Sequence, residues 1–190
     1  MAALIGFVFF GLFSPGPNVI LLTASGARFG FRATLPHLAG VVLGVGVTAC
    51  ATGLGLGWLV QTLPALRIVL SLVAAAWILW MARGLWRAGP LARADSDRPM
   101  HLVEAVLFQW VNPKVWAVAV AATAHVDGLA PWDRAAALGL TFSGVNLFVC
   151  LFWTFAGSLL STLMQDDQAR TVFLRVMAVG LAVFSGLVLL

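Results

Sequence analysis

Charge is what this sequence has least of. Of 190 residues, 11 are basic and 7 acidic, 9% of the chain, against roughly 25% in an ordinary soluble domain. The apolar fraction is 62% and the mean hydropathy +1.01. A domain of this size leaves about a third of its unfolded surface exposed after folding, so the outer face needs a solvent other than water. That excludes a soluble enzyme, a secreted disulfide scaffold and a disordered tail. Cysteine is scarce as well. Cys50 and Cys150 both fall inside apolar stretches and read as small buried hydrophobes, and two cysteines alone establish no disulfide. His37, His101 and His125 form no HxxxH or HExxH pattern, so neither a metal nor a cofactor is expected.

What is present is a series of long charge-free runs: 2–27, 33–66, 68–82, 115–126, 135–165 and 176–190. A helix needs roughly 20 mostly apolar residues to cross about 30 Å of hydrocarbon. With turn signals as boundaries, six spans are predicted, at about 3–24, 37–59, 64–82, 102–124, 134–160 and 171–190. The breaks fall at Ser25–Arg32 with Pro36, at Gln61-Thr62-Leu63-Pro64, across the hydrophilic stretch from Arg83 to Pro99, at Asp127–Asp133 and at Gln165–Arg170. Residues 1–12 hold no Lys or Arg and the apolar run continues past Pro17, which argues for a span over a cleaved signal peptide. Ten-residue segments of period two are absent, so an outer-membrane barrel is not expected.

Loops facing the cytoplasm collect Lys and Arg. Arg28, Arg32, Arg83, Arg87, Arg93, Arg98, Arg170 and Arg175 follow spans one, three and five, whereas Arg67 and Arg134 follow spans two and four. The asymmetry predicts both termini outside and the loop at about 83–101 in the cytoplasm. The net charge of +4 then reflects topology, and nucleic acid is not an expected partner.

Polar or helix-breaking groups at membrane depth mark cavities and pathways. Ser14-Pro15-Gly16-Pro17-Asn18 interrupts span one, because its prolines remove backbone donors and free carbonyls three to four residues upstream. Gln109-Trp110-Val111-Asn112-Pro113-Lys114 interrupts span four, and Lys114 is the one charge deep in a span. Its partner is expected among freed carbonyls, water or a substrate carboxylate.

The two breaks open two halves of three spans, about 1–90 and 102–190. An odd number of spans makes the second half enter the membrane in the opposite sense, so the expected fold is a single all-α polytopic membrane domain of two inverted three-helix repeats. Interrupted helices in equivalent positions point to a binding site near the midplane. Helices restarting after Pro17 and Pro113 present N–H groups and a positive dipole end to a carboxylate. Carbonyls before Pro15 and Pro113, with the Asn18 and Asn112 side chains, accept from an ammonium. Asn146 in span five is a further polar candidate. Gly40-xxx-Gly44 and Gly53-xxx-Gly57 are expected to let helices approach closely, with or without ligand contact.

Together, Ser14-Pro15-Gly16-Pro17-Asn18, the loop Ser25–Arg32, Gly40 and Gly44, the stretch Ala75-Ala76-Trp77-Ile78-Leu79-Trp80 with Gly84, and Asn112-Pro113-Lys114 resemble the signatures of the LysE/RhtB family of amino-acid exporters, across essentially the whole chain. The resemblance implies export of amino acids or close derivatives across the bacterial inner membrane, driven by proton exchange. Within the family the motifs are most similar to cysteine and O-acetylserine exporters. Many members carry an acidic residue just after the second-span glycines. Here that stretch reads Gly44-Val45-Gly46-Val47-Thr48 and holds no carboxylate to carry a proton.

The expected partners are the lipid bilayer, a small amino-acid-like substrate, protons as coupling ion and a second copy of the chain in a homodimer. Another class of small solute stays open as the cargo. A membrane-embedded enzyme is less favoured, because no nucleophile with a base and no paired carboxylate lies at membrane depth.

Overall fold

The computed structural model describes residues 1–88, 98–163 and 166–189, and every regular element among them is helical. In chain order these are α1 (Ala2–Phe13), α2 (Pro17–Phe29), α3 (Phe31–Gly53), α4 (Leu56–Thr62), α5 (Pro64–Arg87), α6 (Leu102–Val111), α7 (Pro113–Ala122), α8 (Pro131–Leu163) and α9 (Asp167–Leu187), with a single 3-10 turn at Thr123–His125. Helices α3, α5, α8 and α9 are long and apolar enough to cross a bilayer. The pairs α1–α2 and α6–α7 each reach that standard together, bent by 60° and 65° at their breaks. The outward faces carry large apolar side chains such as Trp80 (70% exposed) and Phe148 (72%), as a lipid solvent requires. The chain is an all-α, multi-pass membrane protein.

Several boundaries differ from those expected. The segment around Ser25–Arg32 is not a loop. Gly30 adopts φ 86°, a left-handed conformation that costs glycine little, and this one residue turns α2 into α3. The Ser25 and Thr34 hydroxyls then meet across the hairpin at 3.1 Å, and Thr34 also donates to the Gly30 carbonyl at 2.9 Å. Pro36 lies within α3, near its start, where it forgoes only the bond to the Arg32 carbonyl. The second span ends at Gly53 instead of continuing to 59, because Gly55 at φ 104° terminates the helix. Gly57 therefore belongs to the separate α4, and Gly53 and Gly57 do not form one stripe. The stretch at 83–101 begins as helix, since α5 runs through Arg87. Residues 89–97, Arg93 included, lie outside the described residues. Helix α8 has 33 residues, about 50 Å at 1.5 Å per residue, more than the hydrocarbon thickness.

Packing pairs the second and third spans of the N-terminal three with those of the C-terminal three. Along α3 and α8, Gly53 meets Ala135, Gly46 meets Ser143, and the Phe31 ring meets Phe155. Along α5 and α9, the Ser185 hydroxyl donates to the Ala75 carbonyl at 3.0 Å and Arg175 lies over the Trp86 ring. Both pairs therefore run antiparallel. Lipid is as apolar as leucine, so contact between such helices depends on close packing and hydrogen bonds. Small residues supply the first. A Cβ on Gly26 would run into the Thr154 carbonyl, and one on Gly157 into that of Thr23. Hydroxyls of Thr23, Thr48 and Thr52 return to the carbonyl one turn back, so these three donors are satisfied within their own helices. Arginines close two helix ends: Arg134 donates to the Gly53 carbonyl at 2.8 Å, and Arg170 to those of Ala27 and Arg28 at 3.3 and 3.1 Å.

Candidate functional site

The first break follows from the spacing of its prolines. Pro15 has no N–H for the Gly11 carbonyl, and the Ser14 hydroxyl takes that place at 2.9 Å. Helix α2 restarts with Pro17 in its first turn behind an extended Gly16, whose carbonyl accepts from Ile20 N–H at 3.0 Å. The carbonyls of Ser14 and Pro15 are thus left between two helices. In the second break, Asn112 caps α7 by accepting from the Lys114 N–H at 3.2 Å, and Pro113 occupies the first helical position. The Trp116 indole donates to the Trp110 carbonyl at 2.8 Å, which satisfies an open end of α6.

These two breaks meet. The ammonium of Lys114 donates to the carbonyls of both Ser14 and Pro15, the latter at 3.3 Å. Deeper in, the Asn18 and Gln109 amides pair reciprocally, Asn18 Nδ2 to Gln109 Oε1 at 2.8 Å and Gln109 Nε2 to Asn18 Oδ1 at 3.2 Å. Gln109, completely buried, also donates to the Ala105 carbonyl and accepts from Asn112 Nδ2 at 3.4 Å. Gly16 is required by proximity: an added Cβ would lie 2.8 Å from Lys114 Cδ and 3.0 Å from its Nζ.

Pro15, Gly16, Pro17, Asn18, Asn112, Pro113 and Lys114 are therefore drawn together from the two breaks. Asn146 on α8 joins them. It lines, with Gly16, Asn18, Asn112, Lys114, Cys150 and Trp153, a cavity of about 20 Å³, room for about one water. The Asn146 Nδ2 and the Trp153 indole N–H are buried without a hydrogen-bond partner among the described residues. Cys150 is buried and Cys50 partly so, and both are free thiols. Among the described residues no group of three or more His, Cys, Asp or Glu is placed to hold a metal ion.

The glycines divide differently from expectation. Gly40 and Gly44 seat α6 on α3, since a Cβ on either would strike the backbone of Leu102 or Val106. Gly53 seats α8, and Gly57 faces Val120 of α7 from α4. Sequence reasoning did not single out Gln109, although an amide in an apolar helix three residues before Asn112 was a visible signal. Trp153 gave none.

A separate gap of about 630 Å³ lies between α4, α5, α7 and α9, with Arg67, Ser71, Pro113 and Lys114 in its lining. Lys114 thus borders both a water-sized cavity and a larger gap.

Comparison with known proteins agrees with this architecture. Residues 9–190 match the family described as LysE type translocator. A cysteine/O-acetylserine efflux protein of Klebsiella pneumoniae is 28% identical over 154 residues, 79% of this chain and 78% of that protein. The protein of the same name from Salmonella typhimurium is 34% identical over 108 residues, about half of each chain (54% and 52%). An uncharacterized membrane protein of Vibrio cholerae is 24% identical over 178 residues, 90% of this chain and 86% of that one. No solved structure matches the chain. A family match over nearly the whole length, on a polytopic fold whose two broken helices meet through Lys114 and the Asn18–Gln109 pair, makes this chain a member of the LysE type translocator family.

Proposed function

We propose that the protein exports amino acids or close derivatives, cysteine and O-acetylserine among them, across a bacterial inner membrane. One observation carries this reading: the Lys114 ammonium lies across the Ser14 and Pro15 carbonyls, so each break supplies what the other lacks. A zwitterionic amino acid can replace both partners at once. Its carboxylate takes Lys114 and the N–H groups at the starts of α2 and α7. Its ammonium takes the two released carbonyls and the Asn18 and Asn112 amide oxygens. The polar groups exchange partners without any of them becoming unpaired at membrane depth. Asn146 adds an unpaired donor to the same cavity.

The cavity beside Asn146 holds about one water, so admitting a solute on that side requires movement. Repeats 1–90 and 102–190, of inverted topology, supply it by rocking against each other about the α3–α8 contact. The antiparallel course of α3 on α8 and of α5 on α9 supports that division. Both termini are periplasmic, the 83–101 stretch is cytoplasmic, and protons are the coupling ion. The efflux names of the relatives favour amino-acid cargo over another small solute.

The test is release of single amino acids from cells overproducing the chain, beside cells producing Lys114→Met. Faster release of cysteine or O-acetylserine by the unaltered chain alone is expected, and equal release would overturn the reading. Reporter fusions after Gly89 are expected to be cytoplasmic and fusions at the C-terminus periplasmic. The reverse pattern would invert the orientation.

A further inference from the structure

A second polar concavity, of about 790 Å³, opens where the ends of α2, α5 and α6 diverge, away from Lys114. Four arginines line it, Arg28, Arg83, Arg87 and Arg98, against one carboxylate, that of Glu104. Arg98 already engages that carboxylate with both guanidinium nitrogens, at 2.8 and 2.9 Å. Arg83 and Arg87 stand one turn apart on α5, so they share a face. Neither has a hydrogen-bond or ion-pair partner among the described residues.

The deeper wall is different. His37 on α3 is 3% exposed, and its Nδ1 is buried without a hydrogen-bond partner among the described residues. A buried polar atom is nearly always paired, so an unpaired one lining a cavity marks a place for a ligand. Toward the midplane the space ends at Leu21 and Trp77. Trp77 packs edge-on against Phe108, ring centroids 5.6 Å apart, and Phe108 directly precedes Gln109 of the Asn18–Gln109 pair.

We infer that this vestibule is a second binding site, which holds the solute's carboxylate on Arg83 and Arg87, with His37 meeting its polar groups at the floor, before the solute passes Trp77 and Phe108 to reach Lys114. This rests on the transport reading above. An anionic lipid headgroup offers related chemistry, but one held at the rim leaves the buried His37 nitrogen unpaired. A small solute fills both requirements. Two guanidiniums without a partner among the described residues also raise the local concentration of anions at the mouth, so the site selects for a carboxylate ahead of the crossing step.

The test uses the purified full chain in vesicles of phosphatidylcholine alone, with L-cysteine under reductant as the solute. The R83Q/R87Q variant is expected to raise KM about tenfold, the worth of one charge-assisted hydrogen bond, with the maximal rate unchanged. Arg32→Gln removes a charge from the same end outside the vestibule and leaves KM unaltered. Tryptophan emission during L-cysteine titration gives a second readout through Trp77 and Trp80. Quenching in the unaltered chain is expected to shift to higher concentration in R83Q/R87Q and to diminish in Trp80→Phe. If the chain transports no cysteine but this quenching pattern holds, the export reading fails and the vestibule stands. Normal export with an unchanged KM in R83Q/R87Q overturns the vestibule, as does an equal KM rise in Arg32→Gln. A KM effect that requires added phosphatidylglycerol assigns the arginines to lipid and overturns it too.

Discussion

Lys114, in the first turn of α7, is hydrogen-bonded to the carbonyl of Ser14, 100 residues earlier, in the gap between α1 and α2. An ammonium at membrane depth is tolerated only with such partners, and those carbonyls are available only because prolines broke the first helix. Lys114→Met removes the donor and leaves the Ser14 and Pro15 carbonyls without it. Loss of one charge-assisted hydrogen bond is worth about 1.5–3 kcal/mol, so export is expected to fall tenfold or more while the chain still inserts. Initial efflux rates normalised to membrane content measure this, and a wild-type rate would remove Lys114 from the pathway.

Gly16→Ala tests the same contact from the other side. The new Cβ meets the flexible end of Lys114, which can swing away, so the fold should hold. Export is expected to drop several-fold with little change in melting temperature. A large loss of stability instead would show that Gly16 serves the backbone and not Lys114.

The Asn18–Gln109 pair links the two halves through reciprocal amide bonds. A double-mutant cycle with Asn18→Ala and Gln109→Ala is expected to give a coupling of about 0.6–1.7 kcal/mol, the range for interhelical hydrogen bonds in membranes. Unfolding in mixed micelles reads it. Strict additivity would mean that the bond contributes nothing.

Glycines at helix contacts and glycines facing open space make opposite predictions. Gly40→Ala places a methyl against the Leu102 carbonyl, and overpacking of this kind costs about 1–3 kcal/mol. Gly144→Ala on α8 meets nothing within 4 Å and is expected to be neutral or to stabilise by about 0.5–1 kcal/mol through helix propensity. Thermal unfolding in detergent separates the two. Equal effects would show that α6 does not rest on Gly40.

Arg134→Ala removes the donor that closes the C-terminal end of α3 at the Gly53 carbonyl. A cation at that end of a helix is worth about 0.3–1 kcal/mol, and more when partly buried. The expected result is a small fall in melting temperature with efflux preserved. An efflux defect at unchanged stability would give Arg134 a role in transport.

Chain-local features were legible without coordinates. Charge scarcity identified lipid as the solvent, and the two proline segments located both breaks, because a missing N–H acts at a fixed offset along the chain. Span limits were less legible. The residues around 25–32 look like a loop by composition, yet Gly30 alone makes the turn, and Gly55 ends α3 before Gly57 can join its stripe. A single positive-φ glycine is not distinguishable in sequence from one that merely packs.

The sequence by itself determined that this chain is an all-α membrane protein with two proline-interrupted spans, one of which carries a lysine beside its break. These follow from residue type and spacing, which act locally. Only the tertiary structure decided that the breaks face each other, that Lys114 rests on the Ser14 and Pro15 carbonyls, and that Gln109 is the partner of Asn18. Those contacts join positions 91 to 100 residues apart, and their identity depends on how α3 lies along α8, a relation that no local pattern encodes.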